Sequence, residues 1–160
     1  MRKFLLSLSL LVAVSATAAP TLPYDDAADA KTAVTQALAS VQADHRPVLL
    51  IFGANWCEDC RALDKALKSD KNAALIERKF KVVKISVGHF DQNLDLAAAY
   101  GNPIKKGIPA AVVVAPDNTV LFATKGGELA DARRMSETGI YDFFDRVTVA
   151  AEATHAEATH

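Results

Sequence analysis

The two cysteines of this chain, Cys57 and Cys60, stand three residues apart at the foot of an apolar run. Val48-Leu49-Leu50-Ile51-Phe52 is continuous and apolar, as strands buried on both faces are. Gly53-Ala54-Asn55 breaks it, and Trp56-Cys57-Glu58-Asp59-Cys60 follows. Beyond the motif, Leu63, Ala66 and Leu67 share one helical face. A strand that turns directly into a helix points to an α/β chain. The cysteines make a poor structural staple, because closing so small a loop removes little entropy from the unfolded chain. Chemistry explains the pair better than stability does.

The flanking pattern alternates helix and strand. Ala30, Val34, Ala37, Leu38 and Val41 fall on one helix face, starting near Asp26 with Asp25 or Asp26 as cap, and His45-Arg46-Pro47 ends it. Ser69-Asp70-Lys71-Asn72 interrupts the helical pattern after Leu67, and Ala74 to Lys79 resumes it for a turn or two. Phe80 to Val87 reads as a strand. Gly88 to Asn93 is a loop that caps a short helix from Leu94 to Tyr100, and Gly101 stands at its stop. Asn102 to Gly107 is a polar connector, with Lys105 and Lys106 solvated. Ala110 to Ala115 is a second buried strand, Pro116-Asp117-Asn118 a turn, and Thr119 to Thr124 its hairpin partner. A final helix is expected from Ser136 to about Ala150, with Ile140, Phe143, Phe144 and Val147 inward. These elements predict a central mixed β-sheet of about four strands flanked by helices, with an N-terminal helix.

The N-terminus has a different character. Arg2 and Lys3 precede an apolar run from Phe4 to Val14, and Ala16-Thr17-Ala18 supplies small residues for a cleavage site. That is the layout of a secretory signal peptide, and the run is shorter than a membrane span of roughly 20 residues. The expected organisation is a signal peptide over 1–18, an extended leader over 19–25, one domain over 26–150, and a low-complexity tail over 151–160 in which Ala-Glu-Ala-Thr-His occurs twice. His155 and His160 of that tail are weak metal candidates. Export places the cysteines where disulfides persist, so a periplasmic location is expected. A formal net charge of −1 argues against a nucleic-acid partner.

The strand running into Trp56-Cys57-x-x-Cys60, followed by Gly107-Ile108-Pro109 before a hairpin, resembles the thioredoxin superfamily over roughly Asp26 to Val149. Within it the chain is most similar to exported bacterial thioredoxin-like proteins, which act in thiol reduction, cytochrome maturation or disulfide repair. The resemblance implies that Cys57 attacks, Cys60 resolves, and Pro109 is a cis-proline beside them. The expected partners are protein or small thiol/disulfide substrates and an upstream thiol donor that can be membrane-bound; no cofactor and no metal are expected, and nothing in the sequence demands a dimer, so a monomer is expected. Three departures stand out. The intervening dipeptide is Glu58-Asp59 in place of Gly-Pro. Ile51 occupies the place of a buried aspartate, so Lys84, which matches the lysine accompanying it, is expected to lack its partner. The connector before Ile108 is longer.

The chemistry suits the residues. A cysteine at a helix start meets free N–H groups and the positive end of the macrodipole, both favouring the thiolate that attacks a disulfide. Glu58 and Asp59 oppose this: at about 6 Å a like charge costs roughly 0.7 kcal/mol in water and nearly 3 at an effective dielectric of about 20. Arg61 and Lys65 offset part of it. A less stabilised thiolate makes the dithiol a better reductant, so a reductant or isomerase-like protein is expected. Trp56 is expected to wall the sulfurs, and the backbone of Ile108 beside Pro109 to pair with an extended substrate segment. The alternative is a copper-binding or client-binding module without turnover, using the two thiolates and a distant histidine. His89 and His45 are the candidates in the folded body, and His89 reads more simply as a loop residue.

Overall fold

The computed structural model describes residues 21–158, with side chains to residue 154. The expected signal peptide, its cut after Ala18, and the side chains of His155 and His160 lie outside the described residues. In chain order the elements are α1 (Ala30–Ser40), β1 (Val48–Gly53), α2 (Glu58–Leu67), α3 (Asp70–Lys79), β2 (Lys81–Ser86), α4 (Leu94–Ala99), β3 (Ala110–Val114), β4 (Val120–Ala123) and α5 (Glu137–Ala158). Two 3-10 turns, Pro103–Lys106 and Ala132–Arg134, lie between them.

The strands form one mixed sheet in the order β2-β1-β3-β4. β1 runs parallel to β2 and antiparallel to β3, and β3 pairs antiparallel with β4. β1 is therefore internal, and all six of its residues are buried. Its side chains alternate between two apolar layers, as strand geometry requires. Val48, Leu50 and Phe52 join Val34, Ala37 and Val41 of the α1 side, whereas Leu49 and Ile51 join Leu63, Leu67, Leu75, Ile140 and Phe144 of the α2, α3 and α5 side. β3 divides likewise, with Val112 and Val114 on the first face and Ala111 and Val113 on the second.

Two boundaries differ from the sequence expectation. α1 starts at Ala30, not near Asp26, because Asp29 is the N-cap and its carboxylate accepts from the Thr32 N–H at 3.1 Å. Asp26 instead accepts from Ser86 Oγ at 2.6 Å and Asn55 Nδ2 at 3.2 Å, which ties the leader to the sheet. α5 continues past Ala150 to Ala158 and buries Ala151. Alanine and glutamate are strong helix formers, so the repeat extends the helix it follows. The connection 125–136, unassigned from sequence, buries Leu129 and Ala132 against the α2 face. Among the described residues no helix is long and apolar enough to cross a membrane.

Candidate active site

β1 delivers the chain to the cysteines at its carboxyl end. Cys57 is the N-cap of α2, in extended conformation, and its sulfur accepts from the Cys60 N–H at 3.1 Å. The sulfur thus takes the place of a capping oxygen, on the free N–H groups of the first turn. Cys57 and Cys60 are joined as a disulfide with Cα atoms 5.2 Å apart. Cys57 retains 6% exposure and Cys60 none, so an incoming group meets Cys57 first.

The chain approaches the same sulfur from a second direction. The Ile108-Pro109 peptide is cis, and the Ile108 carbonyl oxygen lies 3.7 Å from Cys57 Sγ. Both residues are buried, and β3 begins immediately after them. Trp56, the residue before Cys57, is 47% exposed. Its indole Nε1 donates to the Gly88 carbonyl at 2.8 Å, and its ring stacks on His89 at 5.5 Å with Phe90 edge-on at 6.1 Å. Trp56 is therefore a fixed surface aromatic rather than a core residue. His89 is a loop residue whose ring is engaged with the indole. Among the described residues no group of three or more His, Cys, Asp or Glu side chains is arranged to hold a metal ion.

The acidic dipeptide has a partner that the sequence did not reveal. Arg133 Nη1 lies 2.6 Å from Glu58 Oε2, Arg133 Nε lies 3.8 Å from Asp59 Oδ1, and the Arg133 N–H donates to Asp59 Oδ1 at 3.0 Å. These acids latch the 3-10 turn at Ala132–Arg134 onto α2, and one guanidinium faces both charges. The compensation expected from Arg61 comes from elsewhere: Arg61 Nη1 donates to the Asn55 carbonyl at 2.7 Å, bracing the turn before Cys57.

Lys84 is also not alone. Its ammonium pairs with Asp64 of α2, which pairs in turn with Lys68 at 2.8 Å. The expectation of a partnerless lysine assumed an acid on β1. Ile51, opposite Lys84 in the β1–β2 register, is indeed apolar and 1% exposed. The acid stands on α2, four residues after Cys60, where helical spacing places it on the same face. Burial works to raise the Asp64 carboxyl, but hydrogen bonds from Lys68 and Lys84 overcome it and hold the group below its ordinary value. Sequence reasoning missed Asp64 and Arg133. Only Asp64 left a readable signal, its i+4 spacing from Cys60.

A family model for thioredoxin-like proteins matches residues 29–116, a span that includes the cysteine turn and the Ile108-Pro109 bond. The chain belongs to the thioredoxin-like family. This thioredoxin-like chain is 62% identical to the disulphide isomerase of Xylella fastidiosa Temecula1, whose crystal structure superposes with a TM-score of 0.79, over 81% of this chain and 99% of that one. A structure described as DsbH oxidoreductase shares the fold at 18% identity and a TM-score of 0.55, over 91% of this chain and 95% of that one. The thiol:disulfide interchange protein DsbD of Campylobacter jejuni (strain RM1221) is 34% identical over 47 residues, which span 29% of this chain and 8% of DsbD.

Proposed function

We propose that this protein is a thiol–disulfide oxidoreductase of the periplasm, working by exchange at Cys57 and Cys60 as a reductant or isomerase of exported proteins. The reading is carried by one observation: the two sulfurs are bonded at the start of α2, with the outer one partly open and the inner one sealed. The identity to the Xylella disulphide isomerase over nearly the whole of that chain supports the same class of activity. The signal-peptide layout of residues 1–18 supports export.

In the reducing direction, the Cys57 thiolate attacks a substrate disulfide. A bond forms between Cys57 and one substrate sulfur, and the other leaves as a thiolate and takes up a proton. Cys60 then attacks Cys57, closing the internal disulfide and releasing the first substrate sulfur. The substrate gains two electrons and the dithiol loses two, which an upstream thiol donor restores. Isomerisation uses the same first step, but a substrate cysteine displaces Cys57. Ile108, whose carbonyl lies beside the outer sulfur, its neighbour Pro109, and Trp56, which directly precedes Cys57, form the substrate-facing rim in this scheme. Glu58 and Asp59 weaken the thiolate by less than their charges alone suggest, because Arg133 faces both.

Insulin reduction and the refolding of scrambled ribonuclease test the proposal with one protein. Turnover in either assay that vanishes in Cys57→Ser is the expected result. No turnover, with tight stoichiometric Cu(I) binding, overturns it in favour of a metal-carrying module.

A further inference from the structure

Closing the internal disulfide needs a second thiolate, and Cys60 lacks the advantages of Cys57. It lies inside α2 rather than at its cap, and it is fully buried. Burial disfavours the anion. Groups around Cys60 must compensate if the second step is to be fast.

One residue outside the motif stands in position to do so. Tyr24, from the leader, is 4% exposed and packs in the same apolar layer as Cys57 and Cys60. Asn55 holds its backbone twice, accepting from the Tyr24 N–H at 3.0 Å and donating to the Tyr24 carbonyl at 2.8 Å. Asn55 precedes Cys57 by two residues, so the leader is registered to the cysteine turn itself. Gly53 makes the room. A Cβ there would overlap the Tyr24 hydroxyl, stand 2.5 Å from Tyr24 Cζ and 2.9 Å from Cys60 Sγ. The phenol oxygen and the inner sulfur therefore both crowd the position a Cβ would take on Gly53, and only a glycine admits them. Asp64, shielded to 12% side-chain exposure and tied to Lys84 and Lys68, is near enough for its charge to act on the Tyr24 hydroxyl. Burial first, and then the Asp64 charge, push the Tyr24 hydroxyl far above its ordinary value. A phenol kept protonated is a hydrogen-bond donor, not a base.

Resting on the exchange reading above, we propose that the Tyr24 hydroxyl donates a hydrogen bond to the Cys60 sulfur as that sulfur becomes a thiolate in the resolving step. The Cys60 thiolate attacks Cys57 Sγ, the Cys57–Cys60 bond forms, and the bond from Cys57 to the substrate sulfur breaks. The departing substrate sulfur keeps the electron pair of the broken bond, and over the two exchange steps together the cysteine pair loses two electrons and the substrate disulfide gains them. The proton lost by Cys60 passes to solvent and is replaced on the departing substrate thiolate, while Tyr24 keeps its own. The leader thereby contributes to the second chemical step without lying on the substrate-facing rim.

The test isolates Cys60. In a Cys57→Ser background, thiolate ultraviolet absorbance follows the Cys60 titration. Tyr24→Phe keeps the ring and is expected to raise the midpoint by about one pH unit, the value of one hydrogen bond to a charged sulfur. Asp64, Lys84, Lys68, Glu58, Asp59 and Arg133 are the same in both proteins. In the two-cysteine chain, Tyr24→Phe should slow release from a preformed mixed disulfide about tenfold. The attack by Cys57, measured in Cys60→Ser, should be unchanged. A loss of packing alone would not separate the two steps. Replacing Tyr24 by 3-fluorotyrosine, a stronger donor of nearly the same shape, should lower the midpoint, and it decides the matter if the phenylalanine variant folds poorly. Equal Cys60 midpoints across the three side chains would overturn the hydrogen bond. Failure of Cys57 to form any mixed disulfide would instead overturn the exchange reading, and the Cys60 titration would still report on Tyr24.

Discussion

The backbone N–H of Arg133 donates to the Asp59 carboxylate at 3.0 Å across 74 residues of sequence, while its guanidinium reaches Glu58. The acids between the cysteines are thus both a latch and a partly neutralised charge. Arg133→Ala should leave them unopposed, destabilise the Cys57 thiolate and make the pair more reducing. Arg133 and Glu58 are largely exposed, although Asp59 is not, so the shift should be small, about 10 to 20 mV more negative. Glu58→Gln with Asp59→Asn should move it the other way. Equilibration against glutathione measures both, and a positive shift in Arg133→Ala would contradict the electrostatic account.

Gly53 tests the packing of the leader. Gly53→Ala places a methyl group against the Tyr24 hydroxyl and Cys60 Sγ. Overpacking of this kind costs about 1–3 kcal/mol. The cost should fall in a Tyr24→Ala background, where the obstructing ring is gone and the two sites couple. Urea denaturation of the four proteins gives the coupling directly. Strict additivity would mean that the ring does not occupy that gap.

Asp64 carries a pH signature. Its carboxyl is held below its ordinary value of 3.8 when folded. The folded state therefore binds this proton less readily than the unfolded state. The group contributes stability at pH above about 3.8, and that contribution is lost as pH falls through the lower folded value. Asp64→Asn should flatten the stability profile below about pH 4, with little change in the slope between pH 6 and 8. Denaturant midpoints across that range for the two proteins check it. Asp29, Asp44 and Asp95, also held low, are common to both.

Trp56 should matter for large substrates and not for small ones. Its exposed ring is braced by the Gly88 carbonyl and His89, so it offers a preformed apolar surface beside Cys57. Trp56→Ala should lower kcat/KM for a protein disulfide about five- to tenfold, equivalent to about 1 to 1.4 kcal/mol of binding. Reduction of a small aromatic disulfide should change less than twofold. Equal losses on both would assign the indole to support of the cysteine turn rather than to substrate.

The strands and the helix after the cysteines were legible because their signals are local. A run such as Val48 to Phe52 declares a strand buried on both faces by its own composition, and the Ile108-Pro109 step was legible through the resemblance that contains it. The start of α1 was misplaced because Asp25, Asp26 and Asp29 are all competent caps. The choice fell to Asn55 and Ser86, which hold Asp26 away from the helix. The short connection 125–136 had no period to read, and its role shows only in Leu129 and Arg133 meeting α2.

By itself the sequence determined where the sulfurs stand relative to strand and helix, and hence that Cys57 caps α2 and Cys60 lies one turn inside it. These are consequences of spacing along a continuous backbone. The surroundings of those sulfurs were decided only by tertiary structure. Tyr24, Asp64, Lys84 and Arg133 come from the leader, a helix, a strand and a 3-10 turn, and each acts through space over a few ångströms. Burial and electrostatic contact depend on distance in three dimensions, and separation along the chain carries almost no information about that.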